Sequence, residues 1–154
     1  MGDMSRAGVR HLAKIYQIVI DTNVIVSALR SKRGASFRLV SLIGDERWQM
    51  NVSVPLVFEY EDVLKREGQV LTLSRSEVED VVDFICATAN HRTIFYLWRP
   101  FLPDPHDDLI LELAVEANAD FIVTYNRRDF RGVGRFGIGV VTPAEFLKLI
   151  GEVT

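Results

Sequence analysis

The chain has 154 residues, of which 48% are hydrophobic and 25% charged, amounts that suit a single domain with its own apolar core. Its net charge of −3 excludes a protein held on nucleic acid by bulk electrostatics, so any contact with a polyanion must use a local basic patch. The single cysteine, Cys86, excludes an internal disulfide, and no run is long and apolar enough to suggest a membrane span.

Met1 to Lys14 mixes charges with Gly and Ala, lacks the apolar segment of a secretory signal, and reads as a flexible extension before one domain over residues 15–154. Tyr16–Ile20 is a short apolar run closed by Asp21 and predicts a buried strand. Val24 to Leu29 starts a helix, interrupted by a basic loop with Arg30, Lys32, Arg33 and Gly34. Ala35 to Ile43 has helical spacing, with Gly44 as its stop. Trp48–Val52 predicts a second strand. Ser53 caps a helix that runs through Pro55 and Glu59 to about Arg66. Ser74-Arg75-Ser76-Glu77 has the form of a capping box, ahead of Val78, Val81, Val82 and Ile85. Cys86 follows in that apolar stretch and reads as a small core residue kept in a reducing cytoplasm. Thr93 to Leu97 predicts a short third strand. Asp104-Pro105 opens another helix, Phe121–Thr124 and Gly139–Val141 are further strands, and Thr142-Pro143-Ala144-Glu145 is a second capping box before a terminal helix.

Alternating strands and helices predict an α/β fold, a mostly parallel central sheet flanked by helices, with ligands beyond the carboxyl ends of its strands. That edge receives Asp21 from the first strand, and Asn126 and Asp129 from the segment after Phe121–Thr124. Asp21 also suits a helix cap or turn, and Glu59 a solvated helix position. Asp104, Asp107 and Asp108 crowd a helix start, where caps and the helix dipole also favour acids. Carboxylates that cluster repel one another, and a cation stabilises them near neutral pH. Oxygen ligands without a Cys/His pattern suit Mg²⁺ or Mn²⁺, whose usual work is to activate water and stabilise a phosphoryl transition state. His11, His91 and His106 are not needed for this chemistry, and His106 reads as a surface residue at a helix start.

Ile18-Val19-Ile20-Asp21-Thr22-Asn23-Val24 resembles the opening strand of PIN-domain ribonucleases, and Glu59-Tyr60-Glu61-Asp62-Val63-Leu64 resembles their second motif. Leu102-Pro103-Asp104-Pro105-His106-Asp107-Asp108 is similar to the third acidic motif of the subfamily described as toxin components of toxin–antitoxin pairs. Ala119 through Phe130 resembles the fourth motif, and Val141 to Phe146 is similar to that subfamily's C-terminal segment. No one motif is specific; the four in order, across about residues 15 to 150, are. The resemblance implies a Rossmann-like PIN domain that cleaves single-stranded RNA with Mg²⁺ or Mn²⁺, forms a homodimer and pairs with an antitoxin.

By motif position, the resemblance makes Asp21, Glu59 and Asp108 the catalytic, metal-binding carboxylates, with Asp104 and Asp129 as further metal acids. Asn23, Thr124 and Asn126 are accessory. Asp108 is preferred to Asp107 because its interval to Thr124 matches the family better. Many members carry Asp where this chain has Asn126. Two basic clusters, Arg30, Lys32 and Arg33 and then Arg127, Arg128 and Arg131, are candidates for binding RNA phosphates around the acidic edge. An aspartyl-phosphate phosphatase is a competing expectation, but the second Asp two residues after Asp21 is missing. The other is a PIN domain without catalysis, serving as an RNA-binding or partner-binding module.

Overall fold

Tyr16–Ile20 forms β1, whose Ile18, Val19 and Ile20 are fully buried, as a strand covered on both faces requires. A computed structural model describes residues 14–95 and 101–152 of the chain. The expected N-terminal extension, apart from Lys14, lies outside them. β2 (Trp48–Val52) and β4 (Phe121–Val123) flank β1, while β3 (Asn90–His91) and β5 (Gly139–Val141) form the edges. All pairings are parallel and the order is β3-β2-β1-β4-β5. Ile18 is level with Met50 on one side and Phe121 on the other, and Ile20 with Val123. The chain therefore steps outward from β1 to β3, then returns to build the other half from β4. This reversal puts a crevice at the carboxyl ends of β1 and β4.

The third strand differs from the one expected over Thr93–Leu97. Thr93–Phe95 is not extended into the sheet, and Tyr96 and Leu97 lie outside the described residues. Asn90 and His91 pair instead with Asn51 and Val52. Polar bonds fix this register: Asn90 Nδ2 donates to Gln49 Oε1 at 2.8 Å, and Arg92 Nε to the buried Asn51 Oδ1 at 2.9 Å.

The helices are α1 (Thr22–Arg30), α2 (Ala35–Ser41), α3 (Val54–Arg66), α4 (Gly68–Leu71), α5 (Arg75–Thr88), α6 (Pro105–Glu116) and α7 (Pro143–Leu149). Ser53 caps α3 by accepting from the Leu56 amide, and both expected capping boxes form, at Ser74/Glu77 and Thr142/Glu145. Gly44, at φ 99°, ends the α2 segment in the left-handed region. Cys86 is half-buried against the core, and burial pushes its thiol up, away from reactivity. α6 packs across β1, β2 and β4 through Ile110, Leu111, Leu113 and Ala114, which brings its acidic first turn to the crevice. No helix among the described residues is long and apolar enough to cross a membrane.

Candidate metal centre

Asp21 is the first residue beyond β1, and its amide donates to the Val123 carbonyl at 2.9 Å, completing the β1–β4 ladder. It occupies the N-cap position of α1 but makes no side-chain cap bond. Its buried carboxylate turns into the crevice. Oδ2 accepts from Thr124 Oγ1 at 2.8 Å and from Asn23 Nδ2 at 3.4 Å. The Tyr60 hydroxyl donates to the Ile20 carbonyl just behind, and burial holds that hydroxyl far from ionisation.

Glu59 reaches the same place from α3. Its Oε2 accepts from Thr22 Oγ1 at 2.6 Å. Between the two acids lies the imidazole of His106, from the first turn of α6. His106 Nε2 is 3.0 Å from Asp21 Oδ1. His106 Nδ1 is 2.5 Å from Glu59 Oε1, an ion-pair contact without hydrogen-bond alignment, and has no other partner although buried. The bond to Asp21 outweighs burial and lifts the imidazole to about 9, so it is cationic at neutral pH. Sequence reading placed this histidine on the surface. The signal was its position in Asp104-Pro105-His106-Asp107, where an imidazole among acids has a charge partner close by.

The acid that converges with Asp21 and His106 is Asp107, where Asp108 was expected. Asp107 is 4% exposed, and its carboxylate has no hydrogen bond among the described residues. Burial, reinforced by the charges of Asp129, Asp21 and Asp104 and opposed by His106, raises its carboxyl to about 7. One donor atom each from Asp21, His106 and Asp107 lie within 4.8 Å of one another. Asp108 is equally buried, but its Oδ1 accepts from the amides of Leu102 at 2.8 Å and Phe101 at 3.3 Å. It pins the loop that enters α6. Successive helical residues point about 100° apart, so a shift of one position separates a pocket acid from a loop anchor.

The remaining expected residues take outer places. Asp104 is exposed, caps α6 by accepting from the His106 amide at 2.9 Å, and acts on Asp107 through its charge. Asp129 acts on Asp107 in the same way from a 3-10 turn over Arg127–Phe130. Thr124 Oγ1 accepts from the Asn126 amide at 3.0 Å, while Asn126 itself is exposed. Asn23 also accepts from the Tyr125 amide at 3.4 Å, so it joins the ends of β1 and β4.

Members of each basic cluster line a hollow. Arg30 ends α1, nine residues long, and is about 13 Å along the helix from Asp21. Lys32, Arg33, Phe37 and Arg38 line a groove of about 440 Å³, with Arg38 paired to Glu152 at 2.7 Å. Tyr125 ties this region to the end of β4 through a 2.6 Å bond to Ser36. Arg127 and Arg128 line a second hollow of about 540 Å³ with Tyr125, Asn126 and Asp129. Arg127 is paired with Glu145 at 3.1 Å, whereas Arg128 and Arg131 are exposed.

A sheet in the order 3-2-1-4-5, all parallel, with acids gathered at its switch point, defines a Rossmann-like α/β protein. The sequence profile of the PIN domain matches residues 17–128, and the chain belongs to that nuclease family. Among solved structures, a chain of VapBC2 from Rickettsia felis, crystallised bound to a DNA fragment from their promoter, matches with a TM-score of 0.58. The two share 13% identity over 80% of this chain and 98% of that one, a likeness of fold. No curated protein matches the chain in sequence.

Proposed function

We propose that the chain is an endoribonuclease that uses Mg²⁺ or Mn²⁺ to hydrolyse phosphodiester bonds in single-stranded RNA, as the toxin of a toxin–antitoxin pair. The observation that carries this reading is Asp107, whose buried carboxylate has no hydrogen bond among the described residues, beside Asp21 and within the field of Asp104 and Asp129. A desolvated carboxylate so placed is stable only when protonated or when it meets a cation. The donor set therefore fits a divalent ion, with Asp21 and Asp107 as its nearest carboxylates and Glu59, Asp104 and Asp129 adding charge.

Such an ion, when bound, acidifies a water and draws charge from phosphate oxygens. The protein's own residues prepare the place for it. Thr124 and Asn23 hold the Asp21 carboxylate in one orientation, and Thr22 does the same for Glu59. Arg128 and Arg131, with Lys32 and Arg33 farther out, offer cations to the phosphates of a strand crossing an acidic pocket. The motif resemblance and the fold likeness to VapBC2 support the toxin role, and with it an antitoxin partner and a homodimer.

The test is incubation of purified protein with varied single-stranded RNAs in Mg²⁺, Mn²⁺ or EDTA, comparing wild type with Asp21→Asn. Cleavage should need the metal and fall at least a hundredfold in the variant, roughly the loss expected for a group that acts on the reacting centre. RNA bound but left intact by the metal-loaded wild type would favour the binding-module reading instead. Cleavage undiminished in EDTA would exclude the metal.

A further inference from the structure

We propose that His106 is itself a metal ligand, binding through Nε2 as that nitrogen releases to solvent the proton it now shares with Asp21, and that Glu59 stands behind it as the acceptor for Nδ1 rather than on the metal. This rests on the metal-dependent reading above and gives two residues of that site different roles. Three observations lead to it.

First, His106 belongs to the only group of potential ligands that converges among the described residues, Asp21–His106–Asp107, and Glu59 and Asp108 do not. Second, the separation of Nε2 from Asp21 Oδ1 is 3.0 Å. Two ligands side by side on an octahedral ion, each about 2.1 Å from it, sit roughly 3 Å apart. The same spacing serves the present bond and shared coordination. Third, Nδ1 faces Glu59 Oε1 at 2.5 Å, and Glu59 is in turn held by Thr22 at 2.6 Å. A histidine that binds a metal through one nitrogen commonly gives its other N–H to a carboxylate, which fixes its tautomer and ring direction. Thr22, Glu59 and His106 put the members of such a chain in line, leading into the crevice where the buried Asp107 carboxylate has no hydrogen bond among the described residues.

The donor set is then one imidazole and two carboxylates. Imidazole favours first-row transition ions, whereas Mg²⁺ takes oxygen ligands and gives up water reluctantly. The site should accordingly select Mn²⁺ over Mg²⁺.

The full chain would be loaded with Mn²⁺ and examined by pulsed EPR for nitrogen modulation, with Mn²⁺ and Mg²⁺ affinities from calorimetry. The variants are His106→Ala, Glu59→Gln and Asp107→Asn, each first checked for a cooperative melt. Wild type should show histidine nitrogen coupling and bind Mn²⁺ at least tenfold tighter than Mg²⁺. His106→Ala should lose the coupling and the Mn²⁺ preference while still binding Mg²⁺. Glu59→Gln should keep the coupling but bind Mn²⁺ about 10–100-fold more weakly, as the loss of an outer partner does. Mn²⁺ bound without nitrogen coupling, or coupling unchanged in His106→Ala, would overturn the assignment and leave the metal-dependent reading standing. A wild type that binds neither ion, or binding indifferent to Asp107→Asn, would overturn both.

Discussion

Asp107 and Asp108 are neighbours in α6, alike in burial, and their carboxylates meet different surroundings. Asp108 accepts two loop amides, so Asp108→Ala should cost about 1–3 kcal/mol by stranding buried donors, read as a lower midpoint in urea. The Asp107 carboxylate has no hydrogen bond among the described residues, and its raised pKa means that its charge works against the fold at neutral pH. Asp107→Asn should therefore raise the melting temperature in EDTA at pH 7 while abolishing metal-induced stabilisation. Equal destabilisation by both substitutions would contradict the division between them. Which of the two faces the pocket was not legible in the sequence. It depends on the rotation of α6 against the sheet, which local chemistry near residue 107 does not encode. Asp21 was legible, because an acid after an apolar strand of a parallel sheet reaches the ligand-binding edge with no further information.

At the scale of elements, the strands that could be read were those whose side chains carry the signal. β1, β2, β4 and β5 are rich in Val, Ile and aromatic residues, and both capping boxes spell out helix starts. β3 was missed because Asn and His are weak strand formers, and its place is decided by bonds to Gln49, Asn51 and Val52. The short α4 lacks any such signature. The pairing of β4 with β5 depends on a close approach: a Cβ on Gly139 would lie 2.7 Å from the Phe121 ring. That ring is itself held between Tyr16 and Phe146, with centroids at 5.7 and 6.0 Å. Gly139→Ala should cost about 1–3 kcal/mol through this overpacking, measured by urea denaturation. A neutral effect would mean that β5 can slide away from β4 freely.

Across the whole molecule, an ionic clamp ties α2 and the connection from α2 to β2 to the segment that follows α7. Arg47, just before β2, bonds both oxygens of Asp45 at 2.8 Å, Glu152 at 2.7 Å and the Ile150 carbonyl at 3.0 Å, and Arg38 also holds Glu152. Bonding to Arg47 holds Asp45 below the usual carboxylate range; Arg38, then Arg47, does so for Glu152. Carboxyls depressed in the folded state stabilise it above their unfolded pKa values, and this is lost as pH falls through the folded ones. Arg47→Met should thus lower the melting temperature at pH 7, with the gap to wild type closing below about pH 3 and shrinking in high salt. A gap independent of pH would assign the effect to packing alone.

The bond between Asp21 and Thr124 spans 103 positions of sequence. Ribosomes release a chain from its amino end, so a growing polypeptide displays Asp21 and Glu59 long before His106, Asp107 and Thr124 emerge. On the function proposed above, the growing chain would then stay harmless to its own message until the stretch from His106 to Thr124 has emerged.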